Sequence, residues 1–244
     1  MSELPPLRDL QLFASVDAQT LQRLARDAKV ETFADGEVVF RQGDKAVFFV
    51  VVLHGYVKLS RTASCGDEAL VNICTAGESL YEALTPDGAI YRVGAEAIGE
   101  ASVLKLSAAR FGGLLRDSSS LARAVIDEAA RKISALISEV ESLKGQNADQ
   151  RLAQFILSLC PGGEDSCCFR LPYDKRLIAA RLGVKQETLS RAFAKLRDIG
   201  VRTETRDIFV ESVSRLAAEC RGGDRHAHLP SERGDFLESR NVVA

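Results

Sequence analysis

Between Val184 and Gly200 the apolar residues Leu189, Phe193 and Leu196 recur at helical spacing, while Gln186, Glu187, Ser190, Arg191 and Lys195 fall on the remaining faces. That division predicts a helix with one buried stripe and one polar face. Just upstream, Asp174 is placed to cap a shorter helix through Leu177, Ile178, Ala179, Ala180 and Leu182, and Gly183 supplies a sharp turn between the two. Beyond Gly200, the alternation of Val201, Thr203, Ile208 and Val210 around Arg206 and Asp207 predicts a small hairpin. Helix, turn, helix and hairpin in this order make a winged helix-turn-helix.

The first half carries a different rhythm. Short apolar pieces, Val38–Phe40, Phe48–Leu53, Tyr56–Arg61, Ala69–Cys74 and Val93–Leu106, are separated by Gly36, Gly43, Gly55, Gly66 and Gly77, which predicts a small β-roll with tight turns. An amphipathic helix over Ala18–Ala28, with Leu21, Leu24 and Ala28 on one side, precedes it. Between Ser118 and Lys144, Ile126, Ile133 and Val140 alternate with Ala122, Ala129, Leu136 and Leu143 as the two seams of a heptad. A parallel two-helix dimer interface is the expected use of that stripe, formed by Ile126, Ala129, Ile133, Leu136, Val140 and Leu143. Asn147 either fixes register at the end of the seam or caps the next helix with Gln150, and the cap is preferred. Lys144-Gly145-Gln146 breaks helical propensity and is the expected hinge. The next helix, Arg151–Leu159, runs into the loop Cys160-Pro161-Gly162-Gly163, and the polar stretch after Cys220 is expected to be disordered. The fold class is therefore α+β: a roll over 10–117, a dimerisation helix and hinge over 118–146, a winged helix over 147–220 and a tail over 221–244.

Composition narrows the function. A chain of 244 residues with 46% hydrophobic content can bury a real core. It has no apolar run long enough for a bilayer, and Met1–Leu10 mixes charges with prolines rather than forming a signal region, so the cytoplasm is the expected location, without a membrane partner. The net charge of −2 is a poor guide, because residues 1–120 hold 12 basic against 16 acidic side chains whereas residues 147–220 hold 12 against 10. The basic surplus thus sits where the helix-turn-helix is. Arginine can donate twice to guanine, glutamate can accept from the cytosine amino group, and serine adapts to base or phosphate, so Gln186, Glu187, Ser190, Arg191 and Lys195 suit double-stranded DNA. No Ser-His-Asp set, paired carboxylates or compact metal motif suggests an enzyme.

With roll, long helix and winged helix in this order, the chain resembles the CRP/FNR family of bacterial transcription regulators over residues 10–220. Phe40-Arg41-Gln42-Gly43-Asp44, Gly55-Tyr56-Val57-Lys58-Leu59 and Glu187-Thr188-Leu189-Ser190-Arg191 carry the resemblance. The last of these is similar to the FNR branch, whose half-site is TTGAT, rather than to the cyclic-AMP receptor branch with TGTGA. The resemblance implies base-reading roles for Glu187, Ser190 and Arg191, a homodimer on an inverted repeat, and RNA polymerase as protein partner. Gln186 departs from both branches and leaves the outer base open.

The resemblance also frames the effector. A cyclic nucleotide would use Glu82 and Arg92, yet Tyr81 stands where cyclic-AMP binders have glycine, and Val93 where they have a hydroxyl residue. An FNR-type iron–sulfur cluster is not expected, because no cysteine precedes Cys65. The nearest branch is that of the dissimilatory nitrate respiration regulators, which implies haem and nitric oxide, with His54, Tyr56, Tyr81, Cys65 and Cys74 as axial candidates. Cys65 and Cys74 are also redox candidates. Cys160, Cys167, Cys168 and Cys220 with His226 and His228 are soft metal ligands without a compact zinc spacing. A cyclic-AMP-responsive regulator, or a ligand-sensing module acting through protein contacts, are the alternatives.

Overall fold

A computed structural model describes residues 7–80, 90–162 and 164–221. Tyr81, Glu82 and the tail with His226 and His228 lie outside the described residues. Two 3-10 turns, Leu7–Asp9 and Gln11–Phe13, and helix α1 (Ala18–Ala25) lead into strands β1 (Lys29–Phe33), β2 (Val38–Phe40), β3 (Phe48–Thr62), β4 (Glu68–Thr75), β5 (Ser79–Leu80) and β6 (Gly94–Ser107). These strands form one antiparallel sheet with the order β1-β6-β3-β4, in which β2 also pairs with β6 and β5 with β3.

Strand alternation explains the long apolar run at Phe48–Leu53. Val50 and Val52 face the roll interior with Val57, Leu59 and Val103, whereas Phe49 and Val51 face a helical layer with Leu104, Leu106 and Phe111. Both faces are covered, so both registers are apolar. The two pieces expected on either side of Gly55 are in fact one strand. Gly55 does not turn the chain; it sits in an irregular stretch of the β3–β6 ladder at φ +76°, where a Cβ would meet the Glu100 carbonyl oxygen at 2.3 Å. His54, expected beside a hairpin turn, is accordingly an exposed strand residue.

Helix α2 (Ala108–Asp117) and helix α3 (Ser119–Gly145) follow. Asp17 fastens the start of α3 to the start of α1: its carboxylate accepts from Ser120 Oγ at 2.6 Å, from the Thr20 amide and hydroxyl at 2.8 Å each, and from Ser118 Oγ at 3.2 Å. Led by the Ser120 hydroxyl, these donors hold the Asp17 carboxyl well below the usual carboxylate range. Leu121 and Ala124 of α3 are buried in the roll's helical layer with Val125 packed against it, whereas the large aliphatic residues from Ile126 onward are exposed.

The interruption between α3 and the next helix is capped. Asn147 accepts from the Gln150 amide at 3.0 Å while the Gln150 side chain accepts from the Asn147 amide at 2.9 Å, the reciprocal arrangement that opens helix α4 (Ala148–Leu159). Arg151 of α4 donates back to the carbonyls of Gln146 at 2.9 Å and Leu143 at 3.4 Å. Then come β7 (Cys167–Arg170), α5 (Lys175–Arg181), α6 (Gln186–Arg197), β8 (Val201–Glu204), β9 (Asp207–Val210) and α7 (Val213–Arg221). The expected hairpin is β8–β9, and β7 adds a third strand to give the order β7-β9-β8.

The two halves share an interface. Ile73 of β4, 2% exposed, lies in the core of the winged helix with Leu152, Tyr173, Ile178 and Leu189, and Tyr56, Leu70 and Ile98 of the roll pack around it. Tyr56 meets Tyr173 edge-on at 5.7 Å between ring centroids, and Arg181 donates to the Tyr173 hydroxyl at 2.9 Å. Burial pushes that phenol above its ordinary pKa. The next residue on β4, Cys74, points the other way and is buried in the roll interior.

Candidate nucleic-acid interface

The position of α6 follows from local chemistry. Asp174 accepts from the Leu177 amide at 2.8 Å and starts α5, while Gly183, at φ +63°, lets the chain reverse after it. Leu189, Ala192, Phe193 and Leu196 then lock one side of α6 into the core, and Lys175 Nζ lies 5.0 Å above the Phe193 ring. Gln186, Glu187, Ser190, Arg191 and Lys195 are all exposed. They form the polar face that the sequence pattern predicts, with Lys185 and Arg197 also exposed near its ends.

Lys195 differs from the other four. Its ammonium sits 2.5 Å from the Asp149 carboxylate in the first turn of α4, so part of its charge is committed to holding α6 against α4. In the wing, Arg202 pairs with Glu211 at 2.5 Å, Thr205 takes the left-handed conformation at φ 53°, and Arg206 donates to the Leu171 carbonyl at 2.9 Å. Arg206, expected at the hairpin tip, is therefore turned back toward the domain.

On α3, Ile126, Ile133, Leu136, Val140 and Leu143 are 45–66% exposed, and Ala129 is half-buried. Ile137, 55% exposed, joins them although the heptad pattern omitted it. Ile133, Leu136, Ile137 and Val140, with Glu141, line an open apolar cleft of about 290 Å³. Exposed aliphatic groups in one row need a cover.

Of the predicted effector positions, Arg92 and Val93 are described. Arg92 is exposed at a bend, while Val93 is buried in the roll interior beside Tyr91, whose ring stacks on Phe40 at 3.8 Å and whose hydroxyl donates to the Phe48 carbonyl at 3.0 Å. A cleft of about 580 Å³ on the roll is lined by Phe40, Arg41, Gln42, Ser60, Thr62 and Glu96 among others, a lining that includes neither Arg92 nor Val93. The described axial candidates do not converge. His54 is exposed, Tyr56 packs on Tyr173, Cys65 is exposed with its thiol on Asp67 at 3.3 Å, and Cys74 is enclosed by roll-core side chains. These four do not fit a haem. Among the described residues no group of three or more His, Cys, Asp or Glu side chains is placed to hold a metal ion, and no helix is long and apolar enough to cross a membrane.

Sequence reasoning missed one pair. Cys160 and Cys167, considered only as members of a loose metal set, bring their Sγ atoms to 2.7 Å.

Comparison with known proteins agrees with this geometry. Residues 30–118 match the cyclic nucleotide-binding domain model and residues 150–219 the Crp-like helix-turn-helix domain model. A crystal structure from Ruegeria pomeroyi, described as a cyclic nucleotide binding protein, is 34% identical, with a TM-score of 0.68 over 88% of this chain and 96% of that one. The nitrogen fixation regulation protein FixK of Bradyrhizobium diazoefficiens is 28% identical over 200 residues, 80% of this chain and 82% of its own. The structure of FixK2 from Bradyrhizobium japonicum, 23% identical, shares the fold with a TM-score of 0.66 over 78% of this chain and 96% of that one.

Proposed function

Because this chain belongs to the CRP/FNR family of DNA-binding transcription regulators, which are not enzymes, we propose that it reads an inverted-repeat operator with TTGAT-like half-sites as a homodimer. Regulators of this family bind DNA and act as dimers. The observation that carries the proposal is the two-sidedness of α6: its apolar side is locked into the core while Gln186, Glu187, Ser190 and Arg191 stand in solvent together. Arg191 reads guanine, Glu187 accepts from cytosine, Ser190 bridges to base or phosphate, and Lys195 adds charge beside them. The working units are the roll (10–117), the dimerisation helix and hinge (118–146) and the winged helix (147–220). The aliphatic row on α3 is covered by the same row of a second copy, which sets two recognition helices about 34–36 Å apart on one face of the duplex. RNA polymerase is the partner of the DNA-bound dimer, and the cytoplasm is its place of action.

Binding to a duplex carrying an inverted TTGAT repeat, measured beside a scrambled duplex, tests this reading. Arg191→Ala should cost about 1–3 kcal/mol on the specific site and little on the scrambled one. Equal weakening on both would remove the base-reading role.

Control comes from an effector sensed by the roll. The resemblance to nitric-oxide-responsive regulators makes nitric oxide through haem a candidate, against which stand the four described side chains that do not fit one, and one absorption spectrum with added haem decides it: a Soret band that shifts with nitric oxide supports the reading, and no band rejects it. The relative described as cyclic-nucleotide-binding favours a second reading. Against it, Val93 is buried and carries no hydroxyl for a phosphate. Calorimetry with cyclic AMP should therefore show no micromolar binding.

A further inference from the structure

We propose that Cys160 and Cys167 form an oxidisable dithiol that closes to an intramolecular disulfide within the winged helix when the protein meets a peroxide. Cys160 caps the C-terminus of α4 and Cys167 opens β7, so the short loop 161–166 returns the second sulfur to the first. At 2.7 Å the two Sγ atoms stand only about 0.7 Å beyond the length of a disulfide bond, near 2.04 Å. That gap is what a bond between the two sulfurs has to close. Both side chains are half-buried against the winged-helix core, which holds the sulfurs facing each other rather than leaving them to sample solvent.

Selectivity follows from strand geometry. Successive side chains on β7 point to opposite faces, so the exposed Cys168 is directed away from Cys160 and cannot replace Cys167. Burial, followed by the neighbouring sulfur, pushes the Cys160 thiol up; Cys167, on the edge strand β7 of the wing sheet, is the sulfur proposed to meet the oxidant. The Cys167 thiol loses its proton and attacks one peroxide oxygen; the S–O bond forms, the O–O bond breaks, and the departing hydroxide takes that proton to become water. Cys160 then attacks the resulting sulfenic sulfur. The S–S bond forms, the S–O bond breaks, and the Cys160 proton leaves with the hydroxide as a second water. Two thiols are oxidised by two electrons and one peroxide is reduced to two waters. The product ties the end of α4, which packs on α6, to the edge strand of the wing sheet.

The test is thiol titration and peptide mapping of the full chain before and after a low stoichiometric dose of hydrogen peroxide. Two of the six thiols should disappear, the chain should become lighter by two hydrogens, and dithiothreitol should restore both thiols. Cleavage after Glu164 separates the two cysteines by sequence, so non-reduced digests should keep their peptides joined and reduced digests should not. Cys160→Ser and Cys167→Ser should each abolish the linked peptide, with circular dichroism reporting their folding. The wild-type map stands whether or not the variants fold. Oxidation mapping to Cys65 or Cys168, disulfide-linked dimers, sulfinic acid at Cys167 without a link to Cys160, or no thiol loss would each overturn the proposal.

Discussion

Truncating Ile73 to alanine should loosen the winged helix from the roll without unfolding either. The side chain is 2% exposed and belongs to the winged-helix core, though it is carried by a roll strand. Ile73→Ala removes three carbon groups; at about 0.8 kcal/mol each this is about 2.4 kcal/mol, rising toward about 4 kcal/mol if the cavity does not close. Since about 1.4 kcal/mol is a factor of ten, the docked population should fall relative to the undocked one by about fiftyfold or more. Amide hydrogen exchange reads this directly: protection should drop in α5 and on β4, while the strands of the roll interior and α6 keep theirs. Val57→Ala, deep in the roll, is the contrast and should lower protection throughout the β-sheet. If Ile73→Ala instead lowered protection evenly across the roll and left α5 unchanged, Ile73 would serve the roll's own fold, and the interdomain reading would be wrong.

Leu136→Glu should leave the protomer folded, because Leu136 is 58% exposed, but should set like charges face to face in the proposed dimer seam. Sedimentation should show monomers, and an intact dimer would mean that the exposed row on α3 is covered by something else. Asp17→Asn should flatten the acid limb of the stability curve. The folded carboxyl is held low, so its contribution is present above the unfolded pKa, ordinarily near 3.8, and is lost as pH falls below it. Thermal melts of wild type and variant should therefore converge on acidification, and parallel curves would show that the Ser120 and Thr20 donors do not stabilise the charged form.

What could be read from the sequence was what local chemistry decides. The caps at Asp174 and Asn147, the reversal at Gly183 and the division of α6 into two faces depend on residues within a turn or two of each other. The single strand β3 could not be read, because a glycine inside an apolar run looks like a turn until its partner strand brings the Glu100 carbonyl against it. Strand β7 was hidden by its polar and sulfur-rich neighbours, and helix α7, whose mixed composition borders the polar tail, was not anticipated. Most of all, adjacent residues Ile73 and Cys74 look like ordinary strand alternation, with one face in a core and the other toward solvent. Only the folded chain shows that both are buried, in different cores.

Helix α3 has a mechanical property that follows from where it is gripped. Leu121 and Ala124 clamp its first turns to the roll, the long flexible side chain of Lys132 reaches the Ser79 carbonyl, and Arg151 ties the carbonyls of Leu143 and of the cap residue Gln146 to the winged helix. From Leu121 to Leu143 is about 33 Å of rise, so a tilt of only about 5° at the clamp carries the far end sideways by about 3 Å. A tilt of that size at the roll is thereby geared up to roughly the width of a hydrogen bond where the winged helix begins, the scale on which the base contact proposed for Arg191 would be made or lost.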